Sequence, residues 1–120
     1  MIKSTYIKIL VLILIFLGEA LAIYAEMTGA RMNQVTQQPF LQIFLKMFLI
    51  IIIGSGLLIA GYMLGFESFK NIWIVSVISI TSILIIEPIL ALTIFKQMPT
   101  TGALIGLVLG IIGIIAAIFF

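Results

Sequence analysis

The sequence predicts an all-α membrane protein with four transmembrane helices joined by short loops. Of its 120 residues, 64% are hydrophobic and 8% are charged, and the mean hydropathy is +1.45. The apolar residues fall into four long runs, each near the ~20 residues that an α-helix needs to cross the hydrocarbon layer of a bilayer. A soluble domain of this size leaves too much of its chain at the surface to hide so much apolar area.

We predict a single transmembrane domain over residues 1–120, with spans at about 6–28, 40–65, 72–95 and 102–120. The connections are too short to hold an extramembrane catalytic domain, so we expect no enzyme activity. The chain has no cysteine and no histidine, and we therefore expect no metal site and no cofactor. Its six basic residues form no block of the kind that binds nucleic acid, and the expected partner is the lipid bilayer.

The first span, Tyr6 to Met27, carries Glu19 near its middle. A carboxylate at this depth is costly, and an ionisable residue inside a membrane is by default a functional candidate. On a helix, Lys8, Glu19 and Glu26 fall on one stripe, which cannot face lipid. Glu19 is then either a site for a proton and a substrate or a neutral hydrogen-bond donor that links two helices. The sequence assigns no role to Glu26.

Small residues form a second stripe beside the acidic one and recur in the second span. Such spacing lets another helix backbone approach closely in a membrane. The stripe of the first span consists of Gly18, Ala22, Ala25 and Gly29. The second span presents Gly54, Gly61 and Gly65 on one face.

Polar stretches separate the four spans. We predict the first loop over Gly29 to Pro39, with Pro39 at the start of the second helix. The second loop is predicted at Phe66 to Asn71 and the third at Lys96 to Thr101.

The third span begins with Trp73, which suits the aromatic belt at the membrane interface. Trp73, Ser76 and Glu87 share a face of this helix, with Ser79 alongside. Pro88 removes a backbone donor and is predicted to interrupt the helix. Glu87 lies nearer to the end of its span than Glu19, and both a substrate site and a structural role at the interface suit it.

The C-terminal half contains three segments with a recognisable pattern: Glu87-Pro88-Ile89-Leu90-Ala91-Leu92, Lys96-Gln97-Met98-Pro99, and the glycine-rich run from Gly102 to Ile114. Together they resemble the end of a repeat in the drug/metabolite transporter superfamily (an EamA-like half repeat). Gly106 and Gly113 are similar to the fourth-helix dimerisation motif of the four-span branch, the small multidrug resistance family. Glu19 stands where that family carries its first-helix glutamate.

This resemblance implies a dimeric, proton-coupled exporter of the inner (plasma) membrane. Its first-helix glutamate would bind a proton and a cationic substrate in turn. The dimer contact is expected on one face of the fourth span, at Gly102, Gly106, Gly110 and Gly113. The residues expected to bind proton or substrate are Glu19, Glu87, Ser76, Ser79, Trp73 and Tyr62.

The third span departs from the family pattern. The family has an aromatic pair and a Trp-Ser-Gly segment beside its substrate, where this chain has Ser76 and Ser79-Ile80-Thr81. Trp73 and Tyr62 are expected to replace the family's aromatic residues only in part. A smaller or more polar substrate, or a lipid-linked one, therefore suits this serine-rich helix better than a flat aromatic cation.

Two other functions stay open. One is a subunit of a lipid-linked sugar flippase, paired with a related four-span protein as a heterodimer. The other is an accessory subunit without transport activity that packs against a larger membrane complex.

The basic residues are balanced across the membrane. Three lie on the side of the N-terminus and three on the opposite side, and the bias of Lys and Arg near span ends sets orientation. A chain without bias is predicted to insert both ways (dual topology) and to form an antiparallel homodimer. The two sets are Lys3, Lys8 and Lys70, and Arg31, Lys46 and Lys96.

Overall fold

The structure is a computed structural model that describes residues 2–120. Its helices are α1 (Ile2–Val35), α2 (Phe40–Phe69), α3 (Ile72–Leu90) and α4 (Thr101–Phe119), and a π-helical segment, Ala91–Phe95, extends α3. Each of the four spans, Lys3–Val35, Phe40–Phe69, Ile72–Phe95 and Thr101–Phe119, is long and apolar enough to cross a membrane. The all-α fold with four transmembrane helices is confirmed, and the protein is a multi-pass integral membrane protein.

The first loop is shorter than predicted, because α1 continues through Gly29 to Val35. This polar segment contains good helix formers such as Ala30 and Arg31, and beyond the apolar layer their helix can be solvated by water. Only residues 36–39 connect α1 to α2. Pro39 precedes the second helix as predicted, and its carbonyl accepts hydrogen bonds from the backbone of Gln42 (3.1 Å) and Ile43 (3.2 Å).

The second loop is also shorter than predicted, since Phe66 to Phe69 are the last turn of α2. Lys70 adopts the left-handed conformation (φ 60°, ψ 21°), and its backbone N–H donates to the Phe66 carbonyl (2.9 Å). Asn71 then caps α3, because its side-chain oxygen accepts a hydrogen bond from the Trp73 backbone at 2.9 Å. Only Lys70 and Asn71 therefore separate α2 from α3.

The glycine faces of α1 and α2 pack against each other, although the spacing had predicted only that each face could accept some neighbouring helix. A Cβ atom built on Gly18 would lie 2.9 Å from the Gly54 carbonyl oxygen, and one on Gly54 would lie 3.0 Å from the Gly18 carbonyl oxygen. The two backbones are therefore in direct contact, with no side chain between them. The same interface continues to Gly65, whose absent Cβ leaves space for Val11 and Val75.

The core lies where α1 meets α2 and α3. Val11, Ile15 and Val75 are completely buried. Burial of a large aliphatic side chain contributes about 1.5–3 kcal/mol in water, whereas helices in a bilayer depend more on close packing. Helix α1 is thus the central element, and it positions α2 and α3 on its two flanks.

Pro88 does not interrupt α3, contrary to the prediction. The helix continues past it to Leu90 and then widens into the π-helical segment. The Ala91 backbone N–H donates to the carbonyls of Glu87 and Pro88, and the Thr93 hydroxyl donates to Ile89 (2.9 Å) and Leu90 (3.2 Å). Local changes in helical winding of this kind satisfy backbone groups near a proline inside a membrane.

Helix α4 lies at the edge of the molecule and packs only on α3. Thr100 caps its start, because the hydroxyl oxygen accepts a hydrogen bond from the Ala103 backbone at 3.1 Å. Its contact with α3 centres on Gly110, where an added Cβ would lie 3.1 Å from the Leu84 side chain. No residue of α4 is buried.

Candidate functional site

Glu19 and Ser79 form a hydrogen-bonded pair between α1 and α3. The Ser79 hydroxyl donates to Glu19 Oε1 over 2.6 Å. Glu19 is half-buried near the middle of α1, and Ser79 is buried with 6% of its surface exposed. The distance of 2.6 Å is on the short side of the range for a hydrogen bond between two oxygen atoms. The sequence predicted both residues for one site, and the fold brings them together.

The Ser79 hydroxyl bonds to another helix, unlike the neighbouring hydroxyl groups of α3. The hydroxyls of Thr81 and Ser82 donate to carbonyls one turn back in the same helix, at 2.6 and 2.9 Å. Such local bonds are the usual arrangement for Ser and Thr inside a helix. Ser79 instead reaches α1, because its position on α3 faces Glu19 across the closely packed interface.

This arrangement has a defined chemical capacity. A carboxylate accepts hydrogen bonds and cations when ionised and becomes a donor when protonated. One Glu19 oxygen is occupied by Ser79, which leaves the other oxygen to bind a proton or a positively charged group. Among residues 2–120 no cluster of three or more acidic side chains is present that could hold a metal ion.

None of the other predicted site residues forms a hydrogen bond with this pair. Trp73 is 76% exposed at the start of α3, and Ser76 is half-buried one turn further on. Tyr62 packs against the core of Val11, Ile15 and Val75. Glu87 is exposed beside Pro88, in the second of the two grooves described next.

Two grooves open between α4 and the rest of the bundle. The first groove has a volume of about 1160 Å³ and lies along the N-terminal half of α1, with Phe16, Trp73 and Ile118 among its walls. The second groove, of about 540 Å³, is bounded by Met27 and Glu87 and by the start of α4. Along α1, Glu19 falls between the segment that lines the first groove and Met27.

The α4 glycines predicted for a dimer contact differ in their surroundings. Gly102, Gly106 and Gly113 have open space where a side chain would project. At Gly110 the corresponding space is filled by the Leu84 side chain of the same chain. Three of these four positions therefore leave a smooth, uncovered strip on α4.

Sequence reasoning missed a third pocket, between the C-terminal part of α1 and the start of α2. Phe40, Phe44 and Phe48 lie along this pocket, which has a volume of about 290 Å³, and Glu26 and Asn33 face them from α1. The rings are nearly parallel, with centroid distances of 6.3 and 5.8 Å. A spacing of four residues places side chains on one helix face, and that signal is visible in the sequence.

Comparisons of the chain with protein-family models, with curated proteins and with solved structures found no match.

Proposed function

We propose that this protein is a small proton-coupled transporter of the drug/metabolite transporter type. Glu19 binds a proton and the substrate alternately, and either ligand permits the change between the two access states. The observation that carries the proposal is the 2.6 Å hydrogen bond from Ser79 to Glu19, which lies near the middle of α1. A carboxylate held there by a neighbouring helix has one oxygen left for an exchangeable ligand.

The shape of the molecule supports a dimer. Its Cα atoms extend over 53 × 34 × 18 Å. A bundle only 18 Å thick holds at most two layers of helices, so a second copy is needed to enclose a substrate on both sides of Glu19. The open glycine strip on α4 offers a close contact for that copy, in the inner (plasma) membrane that the resemblance implies.

The proposal is tested with purified protein in liposomes that contain a pH-sensitive dye. Small polar cations, aromatic cations and short-chain lipid-linked compounds are added outside, and proton release from the liposomes is recorded. We expect Glu19→Gln to abolish the proton flux, because an amide cannot exchange a proton. Glu19→Asp retains the carboxyl group and should retain part of the flux.

The matched control is Glu67→Gln, since Glu67 is exposed in the last turn of α2. This variant should transport like the wild type. Wild-type proton flux in Glu19→Gln contradicts the proposal, as does binding of a compound that never moves protons.

The first groove favours a second candidate, a subunit of a lipid-linked sugar flippase. Its volume of about 1160 Å³ and its nearly all-apolar walls suit a long hydrocarbon chain better than a small polar solute. Replacing Phe16 or Ile78 in this groove by Trp would then block movement of a lipid-linked substrate while leaving flux of small cations intact. Equal loss of both activities argues against the flippase.

A further inference from the structure

We propose that the first groove is a binding site for an anionic phospholipid. One acyl chain of the lipid fills the groove, and the phosphate lies at its mouth, where Asn71 and Trp73 belong to the lining and Lys70 is adjacent. The site does not depend on proton exchange at Glu19. It also differs from that of a flippase, since the lipid stays bound and is not moved across the membrane.

The groove has the depth of one leaflet. On α3 its lining begins at Asn71 and ends at Ile85, fourteen residues later, which is about 21 Å at ~1.5 Å per residue. Half of the ~30 Å hydrocarbon core is about 15 Å. Trp73 is 76% exposed at the end where α3 begins, and tryptophan favours the level of the headgroups. The groove therefore suits a long acyl chain that enters from this interface.

The hydroxyl groups inside the groove are already bonded. Among the described residues of its lining, only Thr81 and Ser82 carry hydroxyls, and both donate to carbonyls of α3, at 2.6 and 2.9 Å. The remaining interior walls are apolar side chains such as Phe16 and Ile85. An apolar cavity of this kind stays free of water, so inside a bilayer it is filled by hydrocarbon.

Basic side chains flank the mouth of the groove. Lys70 immediately precedes Asn71, and Lys8 lies one turn before Leu12, the first α1 residue of the lining. The Lys8 ammonium group lies 5.3 Å from the centre of the Phe69 ring, which places it beside the same turn as Lys70. Two positive charges therefore stand where a lipid in this groove would carry its phosphate.

This positive charge has little compensation. Within residues 2–120, neither Lys8 nor Lys70 forms an ion pair, and Glu67 is the one acidic side chain at this end of the helices. Basic residues at a membrane surface attract anionic lipids. A zwitterionic headgroup gains less, because its own ammonium group is repelled by the lysines. The charge at the mouth thus selects an anionic phospholipid from the bilayer.

The test uses Trp73, the only tryptophan of the chain, as its reporter. The protein is reconstituted in mixed vesicles of phosphatidylcholine and phosphatidylglycerol, with one of the two lipids brominated on its acyl chains near the headgroup. Bromine quenches indole fluorescence on contact, and the two quenching curves together give the preference for anionic lipid. We expect the wild type to prefer phosphatidylglycerol about fivefold or more, and added salt to reduce this preference.

The chain supplies a matched control for the charge. Lys70 and Lys96 are both exposed, and both end a helical segment in the left-handed conformation, with φ of 60° and 55°. Lys96 lies at the opposite side of the membrane. Asparagine also adopts this conformation, so Lys70→Asn and Lys96→Asn each remove one charge and preserve the helix end.

Lys70→Asn should lower the preference for phosphatidylglycerol about fivefold, whereas Lys70→Arg and Lys96→Asn should keep it. An unchanged preference in Lys70→Asn, or an equal loss in Lys96→Asn, overturns the inference. Glu19→Gln should keep the preference even where it has lost all proton flux. Failure of the lipid site and failure of the transport proposal are therefore told apart.

A second arm tests whether the acyl chain occupies the groove. The double variant Leu17→Phe and Ile85→Phe narrows the groove at two exposed positions and should reduce the preference. The control, Leu45→Phe and Ile80→Phe, changes equally exposed positions outside the groove and should keep it. An unchanged preference in the first variant overturns the inference. Relief of quenching by inorganic phosphate also overturns it, because the mouth then binds free phosphate and not a lipid.

Discussion

The Ser79 hydroxyl determines how Glu19 is held. Ser79 and Ser82 are both buried on α3, but they use their hydroxyl groups differently. Ser79 donates to the carboxylate of another helix, whereas Ser82 donates to the Ile78 carbonyl of its own helix. Ser79 and Ser82 therefore offer a matched comparison between an interhelical and a local hydrogen bond.

We predict that Ser79→Ala lowers the free energy of unfolding by about 1 kcal/mol, since interhelical hydrogen bonds in membranes are worth about 0.6–1.7 kcal/mol. Ser82→Ala should change it by much less, because the carbonyl that loses the hydroxyl remains bonded within the helix. Unfolding in mixed detergent micelles, titrated with a denaturing detergent, measures both. Equal effects of the two variants would show that the bond to Glu19 adds no stability.

Lys8 is also held by a specific contact. Its ammonium group lies 5.3 Å from the centre of the Phe69 ring, at the end of α2. Eleven residues separate it from Glu19, about 16 Å along the helix. Although sequence periodicity places both on one stripe, Lys8 is too far away to pair with that carboxylate.

At the scale of the helices, glycine decides which faces meet. Gly54 touches the backbone of α1, while Gly56, two residues later on the same helix, has open space beside it. Both lie in the middle of a membrane span, so they differ in packing rather than in depth.

Replacement of Gly54 by Val is predicted to destabilise the protein by about 1–3 kcal/mol, because the added methyl groups must push α1 and α2 apart. Gly56→Val should have a small effect, since nothing lies within 4 Å of its added Cβ. The measurement is again unfolding in mixed micelles. If Gly56→Val is as harmful as Gly54→Val, then backbone contact is not what holds the two helices together.

The uncovered strip on α4 leads to a prediction about assembly. Gly106→Leu and Gly113→Leu should leave the monomer fold intact, because both positions are open, but should prevent close contact with a second α4. Energy transfer between labelled copies in liposomes should fall to the background level. Val108→Leu, an exposed change on another face of α4, is the control. Undiminished dimer in both glycine variants excludes this strip as the contact.

At the scale of the whole molecule, α4 is the element that is least attached. It contacts only α3, whereas α1 packs against both α2 and α3. The unit of α1, α2 and α3 thus forms a compact core, and α4 bounds two grooves along its edge. A helix held by one neighbour leaves most of its surface free for a partner or for lipid.

The balance of basic residues concerns the orientation of the whole chain. The ends of the described helices keep Lys3, Lys8 and Lys70 on one side and Arg31, Lys46 and Lys96 on the other. With no bias the protein should insert in both orientations, which a reporter fused to the C-terminus detects on both sides. Two added lysines in the loop at Lys70 should fix one orientation, and two in the loop at residues 36–39 the other.

If the active form is antiparallel, each fixed variant should be inactive alone, and co-expression should restore activity. An antiparallel pair supplies the inverted repeats that larger transporters encode within one chain. A single orientation of the unmodified protein excludes the antiparallel homodimer and favours a heterodimer or an accessory role.

The sequence by itself determined the number and position of the spans, because a long apolar run can only be accommodated in the bilayer as a helix. It also determined that Glu19 lies in mid-span, and it indicated the glycine faces through which α1 and α2 meet. These features depend on composition and on the helical period, both of which are local.

The tertiary structure decided which side chains meet across helices. Glu19 and Ser79 are sixty residues apart in sequence, and their contact depends on how α1 and α3 are rotated and crossed. Packing also decided where Tyr62 and Trp73 lie. Both were predicted for the site, but Tyr62 packs against the core and Trp73 lines the first groove. The sequence likewise did not reveal that α3 continues past Pro88. The π-helical winding after the proline depends on hydrogen bonds made by Ala91 and Thr93. Helical periodicity specifies a face of each helix, and only packing specifies what that face touches.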